Sequence, residues 1–170
     1  MDSAARDEPG APPRPFDTGR FREVMGHFAT GVTIITAMED EGPVGFTCQT
    51  FGSLSIDSAL VFFAAITTSP SWQRVRQAGV VGINILADDQ QHLARGFAVS
   101  GVDKFAGVPW VGAPNGSPFL EGAHAHLEGT IREVTNHGDH DIIVAELDYA
   151  STEPGGPLAY YRGGYRVLRP

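Results

Sequence analysis

The chain has 170 residues, 42% of them hydrophobic, and carries 12 Lys and Arg against 20 Asp and Glu, for a net charge of −8. One domain with a sizeable core is expected at this length, and the acidic balance argues against nucleic-acid binding, which neutralises phosphate with Lys and Arg. A single cysteine, Cys48, excludes an intramolecular disulfide, and no apolar run reaches the roughly 18 residues of a membrane span.

The first 15 residues, "MDSAARDEPGAPPRP", lack the apolar centre of a secretory signal. Rich in Pro, Gly, Ala and charge, they read as a disordered tail ahead of a domain covering residues 16–170. A cytoplasmic location is expected. Phe21, Val24, Met25 and Phe28 fall at i, i+3, i+4 and i+7, the spacing of one helix face, with Asp17 or Thr18 as cap and Gly31 as terminator. "GVTIITAM" is a β-branched strand, and "VGFTCQTF" follows it at hairpin spacing after the turn "EDEGP". "ALVFFAAI" (Ala59 to Ile66) is continuously apolar and predicts a strand buried on both faces.

In "TTSPSWQRVRQAG", Ser69 can cap a helix, Pro70 suits its first position and Gly79 follows its end. "VVGINILA" is a further strand. "DDQQHLARGFA" predicts a short helix with Leu93, Ala94 and Phe97 on one face. Residues Val99 to Gly122 carry Gly and Pro repeatedly and predict a long ordered loop, a length more often functional than idle. "AHAHLEGTIREVTNH" and "DIIVAELDYAS" are long strands joined at "GD", and "LAYYRGGYRVL" closes the chain as a hairpin. Six or seven strands, mostly joined by short turns, and three helices imply a mainly antiparallel barrel with peripheral helices.

The chemistry-bearing residues are sparse. There is no G-x-G-x-x-G, Walker A, G-x-S-x-G or H-E-x-x-H motif. His124 and His126 share a strand face, and His137 and His140 flank the next turn, but no third ligand has convincing metal spacing, so no metal site is expected. Small polar side chains crowd "GFTCQTFGSLS": Thr47, Gln49, Thr50, Ser53 and Ser55 stand where a strand would bury Val and Ile. Thr67, Thr68, Ser69 and Ser71 precede or open a helix, where free N–H groups and hydroxyls can hold a phosphate; capping and turn chemistry explains them equally well. Lys104 is the only lysine, and alone it reads as a solvated surface residue. Cys48 has no His or Lys partner in the sequence and reads as a buried, inert thiol.

Five stretches in order, "FREVMGHFATGVTIIT", "GFTCQTFGSLSID", "DKFAG", "GDH" and "LAYYRGGY", resemble the short-chain flavin reductases, the reductase components of two-component flavin monooxygenases. The resemblance runs from Phe21 to Leu168, and reductases serving bacterial aromatic-ring hydroxylases are the most similar. It implies the FMN-binding split-barrel fold, a homodimer with sites near the subunit interface, and NADH or NADPH as hydride donor to FMN or FAD. It also implies a separate oxygenase that receives the reduced flavin. By the same resemblance Thr47, Cys48, Gln49, Thr50, Ser53 and Ser55 line the flavin. Thr67, Thr68, Ser69 and Ser71, with Lys104 and Phe105 of "DKFAG", belong to its phosphate end. His140 and Asp139 of "GDH" lie on the nicotinamide side as positioning residues, with Tyr161 and Tyr165 as its outer wall. The alternative is a flavin-binding split-barrel carrier without turnover; a flavin-dependent oxidase would need a substrate pocket of its own. Two departures stand out: relatives often read Asp-Pro-Pro where this chain has Asp57-Ser58-Ala59, and the small residues of "HLARGFAVSG" alter the approach to Lys104.

Overall fold

The computed structural model describes residues 16–168; the predicted tail of residues 1–15 lies outside them. In chain order the elements are α1 (Thr18–Met25), β1 (Thr30–Gly31), β2 (Thr33–Glu39), β3 (Gly42–Cys48), β4 (Phe51–Ser55), β5 (Leu60–Ile66), α2 (Pro70–Ala78) and β6 (Val80–Ile85). They continue with α3 (Gln91–Ala98), β7 (Trp110–Gly112), β8 (Pro118–Leu120), β9 (Ala125–His137), β10 (His140–Thr152), β11 (Leu158–Tyr161) and β12 (Gly164–Val167). No helix among the described residues is long and apolar enough to cross a membrane.

Seven strands form the main sheet in the order β3-β2-β6-β9-β10-β5-β4, every neighbour antiparallel. A split β-barrel results, not a closed one. The end strands β3 and β4 do not pair with each other, yet only Gln49 and Thr50 separate them in the chain. The sheet must therefore curl until its two edges nearly meet, because the three steps from Cys48 to Phe51 span at most about 10 Å. A small sheet, β1-β11-β12, and the hairpin β7-β8 complete the strands.

Successive side chains of a strand point to opposite faces, and β2 uses both. Ile35 joins a core cluster with Phe46, Phe63, Trp72, Val75 and Ile143. Its neighbour Ile34 joins a second cluster with Leu86, Leu93, Ala94, Phe97 and Leu158. The first lies under α2 and the second under α3, so β2 is a strand buried on both faces. The prediction gave that role to residues 59–66. There β5 alternates between buried and half-buried positions, because its neighbour β4 is an edge strand that leaves one face thinly covered.

Other boundaries also shift. "VGFTCQTF" breaks at Gln49–Thr50 into β3 and β4, and the long loop after Val99 contains the β7-β8 hairpin. Helix α1 is capped by Asp17, whose Oδ1 accepts from Arg20 N at 2.7 Å, and stops at Met25 with Gly26 as C-cap, well before Gly31. Its apolar face is not in the core: Phe21 and Val24 are more than half exposed. Ala59 has a φ of 47°, which a proline ring cannot adopt, so this turn differs from an Asp-Pro-Pro form.

The two long strands bend where the β9–β10 register shifts between Leu147 and Tyr149, opposite Gly129. A Cβ on Gly129 would stand 2.2 Å from the Glu146 carbonyl oxygen. Gly129→Ala is therefore expected to cost about 3 kcal/mol or more, the upper part of the overpacking range. Denaturant unfolding checks it: the midpoint falls while the slope stays near that of the wild type.

Candidate functional site

A cleft with a cavity volume of about 600 Å³ opens over the seam between β3 and β4. This lies inside the usual range for small-molecule sites, about 300–1,000 Å³. Phe46, Thr47 and Cys48 at the end of β3 form its floor with Gln49 and Thr50. Ala64, Ala65 and Ile66 at the end of β5 supply an apolar side, and Phe97, Tyr160 and Tyr165 supply another.

One end of the cleft gathers hydroxyls, a helix N-terminus and an ammonium. Ser69 is the N-cap of α2, its Oγ accepting from Trp72 N at 3.3 Å, and Gly79 ends the helix at a φ of 72° as the sequence predicts. Thr68, Ser69 and Pro70 border the cavity at this positive end of the helix dipole. Lys104 reaches in from the loop after α3. Its Nζ donates to Gly45 O at 3.1 Å and to Ser71 Oγ at 3.0 Å. Partial burial pushes the ammonium below its ordinary range, since no acidic side chain compensates the lost water. A second cavity of about 530 Å³ lies beyond Lys104 and shares it with the first; Ser71 and Phe105 line this one.

The other end is the β9–β10 turn. His140 borders the cavity, and its Nδ1 lies 2.8 Å from Asp139 Oδ1. The histidine holds the exposed Asp139 carboxyl below the usual carboxylate range. The turn is tied back to the loop before α2, where Thr67 N donates to Asp139 O at 3.0 Å and Thr67 Oγ1 to the same oxygen at 3.3 Å.

Of the sequence-predicted residues, Thr47, Cys48, Gln49, Thr50, Thr68, Ser69, Lys104, His140 and Tyr165 come together around the main cavity. Ser53 and Ser55 do not border it: they lie on the edge strand β4, Ser53 facing solvent. Thr67 and Asp139 sit just behind the lining, engaged with each other. Tyr161 points elsewhere, its ring 6.4 Å from that of His27. Its place is taken by Tyr160, the cross-strand partner of Tyr165, with ring centroids 5.2 Å apart. Thr47 is not a free donor, because its hydroxyl is given to Ala94 O at 2.7 Å. Among the described residues no group of three or more His, Cys, Asp or Glu is placed to hold a metal ion.

The residues present fit a flavin. The cavity has a polar floor at the seam for the heterocycle's hydrogen-bonding edge and apolar sides for its carbocycle. Its end at Thr68, Ser69 and Lys104, with hydroxyls and one ammonium, suits a phosphate.

A curled antiparallel sheet of this order, with a cleft at its seam, is the split-barrel class of small-molecule-binding domain. Residues 25–169 match the flavin reductase like domain family, and the chain belongs to it. It is 41% identical over 155 residues to the reductase subunit HsaB of a flavin-dependent monooxygenase from Rhodococcus jostii, covering 91% of this chain and 80% of that protein. It is 40% identical to the reductase component of a 4-nitrophenol 4-monooxygenase/4-nitrocatechol 2-monooxygenase from Rhodococcus opacus, over 89% and 82%. Among solved structures, nitrilotriacetate monooxygenase component B from Mycobacterium thermoresistibile superposes with a TM-score of 0.86 at 40% identity, covering 89% and 86%. The Streptomyces globisporus NADH:FAD oxidoreductase SgcE6, in complex with NAD and FAD fragments, gives 0.86 at 33% identity, covering 91% and 94%.

Cys48 borders the cleft without being reactive. Its Sγ lies 3.5 Å from Thr50 O and 3.4 Å from Ala64 O, and burial pushes the thiol up to about 11. The neutral thiol is thus favoured up to that pH. At pH 8 its alkylation by iodoacetamide is expected to run about 100-fold slower than in the unfolded chain, with a rate still climbing toward pH 11. Mass spectrometry of timed aliquots reads both; fast labelling at pH 8 would show an exposed thiolate.

Proposed function

We propose that the protein is an NAD(P)H-dependent flavin reductase of the EC 1.5.1 type. It reduces FMN or FAD in the cleft and releases the product to a separate flavin-dependent oxygenase. The observation that carries this reading is the two-ended cleft, with an anion cradle at one end and the His140 turn at the other, in a chain of this family. Relatives named as reductase components of monooxygenases support the oxygenase partner. The neighbour that holds NAD and FAD fragments supports a nicotinamide donor.

In this reading Ser69, Thr68 and the first turn of α2 hold the phosphate, and Lys104 gains the counter-charge it lacks. The main chain from Thr47 to Thr50 meets the polar edge of the ring system. Phe46, Ala65 and Ile66 exclude water beside it. Flavin, when bound, supplies the acceptor for a hydride, so the chain provides no acid or base for that transfer, only placement. His140 provides that placement on the nicotinamide side, held by Asp139, and Tyr160 and Tyr165 wall the opposite side. The alternative, a flavin carrier without turnover, shares the cradle but gives the His140 turn no role.

The exposed apolar face of α1 supports a homodimer. Phe21, Val24, Met25 and the following Phe28 are each more than half exposed. A contiguous face of this kind is unusual on a monomer's surface and supports its use as a subunit contact. The nicotinamide chemistry suits a cytoplasmic setting.

Purified protein is expected to oxidise NADH or NADPH rapidly only when FMN or FAD is added. An assay crossing the two flavins with the two nicotinamides tests this and ranks the preferences. Folded protein without flavin-stimulated turnover in any of the four combinations would leave the carrier.

The two ends of the cleft are expected to separate by mutation. Lys104→Ala removes a charge-assisted hydrogen bond, worth about 1.5–3 kcal/mol, so flavin affinity is expected to fall about ten-fold or more, with little loss of rate at saturating flavin. His140→Ala is expected to do the reverse. Flavin affinity stays near wild type, the Michaelis constant for nicotinamide rises, and hydride transfer slows by up to about 100-fold, the scale of a small misplacement. Flavin titration and stopped-flow reduction measure the two quantities separately; a swapped pattern would invert the assignment of the ends.

A further inference from the structure

Asp141 follows His140 on β10 and is only 4% exposed. It does not border the cleft. Its Oδ2 accepts from Trp72 Nε1 at 2.9 Å, and its Oδ1 accepts from Asn136 Nδ2 at 3.1 Å. Arg76 Nη1 stands 3.8 Å from Oδ2. Trp72 and Arg76 belong to α2, and Trp72 is fully buried against Phe46 and Phe63. Asn136 also donates to His140 O at 3.3 Å.

This one carboxylate therefore joins the two ends of the cleft. Through Trp72 it fixes α2, whose first turn forms the anion cradle. Through Asn136 it fixes the carbonyl of His140. Strand alternation sends the Asp141 side chain inward, while the His140 side chain faces the cleft. A buried carboxylate held by charge-assisted bonds from two directions is short-ranged and directional, and leaves the turn little play.

We propose that Asp141 is a positioning residue for hydride transfer: it sets His140 relative to the N-terminus of α2, and thereby the nicotinamide relative to the anchored flavin. The proposal rests on the reading of His140 given above. A side chain serving only to stabilise the fold would lower the melting temperature and leave the kinetics of the folded fraction unchanged.

Asp141→Asn conserves volume, but a carboxamide cannot accept from Trp72 and Asn136 through both of its terminal atoms. One of the two bonds must break. The variant is made in the wild type and in His140→Ala, and each protein is examined by stopped-flow flavin reduction at varied NADH, flavin titration and thermal melting. In the wild-type background we expect about ten-fold slower hydride transfer or more, a raised half-saturating NADH concentration, and flavin affinity within about two-fold. In the His140→Ala background the further slowing is expected to be less than about two-fold, while the fall in melting temperature is the same in both, since residues acting as a unit are not additive.

Wild-type kinetics in Asp141→Asn beside a defective His140→Ala would overturn the role of Asp141 and leave that of His140 standing. Equal slowing in both backgrounds would also overturn it, because Asp141 would then act by another route. Wild-type nicotinamide kinetics in His140→Ala would remove both readings. Asn136→Ala covers the case in which Asp141→Asn does not fold. It cuts the link to the His140 carbonyl without disturbing the carboxylate's bond to Trp72, and wild-type kinetics there would count against the proposal.

Discussion

The unmet edges of one sheet govern the rest of the structure. A strand edge exposes unpaired N–H and C=O groups, which must find partners or water. Here the two edges, β3 and β4, are consecutive in the chain, and the sheet curls to bring them close, yet they do not pair with each other. The gap is partly bridged from β3: the buried Cys48 thiol lies between Thr50 O and Ala64 O, the pair that extends the β4–β5 ladder. What is left is main chain, facing a cleft. A planar heterocycle with a hydrogen-bonding edge can complete such a seam without a dedicated recognition motif, which is why none of the common nucleotide-binding signatures is needed.

The two helices that flank the cleft are held by different means. Helix α3 packs through Phe97 and Ala94 and accepts the Thr47 hydroxyl at its Ala94 carbonyl. Gly45 makes room for it: a Cβ there would stand 3.1 Å from the Phe97 ring and 2.9 Å from Ile35 O. Helix α2 is held by the buried Trp72 and its bond to Asp141. Each helix thus has one directional side-chain bond, from a hydroxyl to a carbonyl for α3 and from an indole to a carboxylate for α2. The second, charge-assisted bond ties α2 to the strand that carries His140, at the opposite end of the cleft.

Much of this was legible in the sequence, and the failures have physical causes. The Ser69 cap, Pro70 and Gly79 fixed α2 because capping chemistry is local. The α3 face was right because Leu93, Ala94 and Phe97 are all buried. The α1 periodicity was also real, but periodicity reports an apolar face and not what covers it. Tyr160, not Tyr161, borders the cleft because strand phase depends on the turn. Arg162 and Gly163, both at positive φ, form a two-residue turn that sets Tyr160 opposite Tyr165 and turns Tyr161 away. Ser53 and Ser55 were grouped with Thr47–Thr50 because nothing local announces that the chain leaves one edge of the sheet and enters the other between Cys48 and Phe51. Asp141 was invisible, since a buried acid beside an exposed one reads as turn polarity until its partner, 69 residues away, is in place.

A reductase that gives up its reduced flavin needs a site that is selective without being tight, and the charge inventory at the cradle is consistent with that demand. The cradle offers hydroxyls and one ammonium, in a chain whose net charge is −8. Lys104 does not wait unpartnered for an anion; its Nζ is already donating to Gly45 O and Ser71 Oγ. Binding a phosphate there exchanges hydrogen bonds and restores a counter-charge, instead of satisfying an orphaned cation. Each exchange returns a fraction of the energy a new bond would release, because the net value of a hydrogen bond is a difference between two bonded states. In the function proposed, rigidity between the ends of the cleft and an exchange of bonds at the cradle are compatible: the first would fix where the rings meet, and the second would let one of them leave.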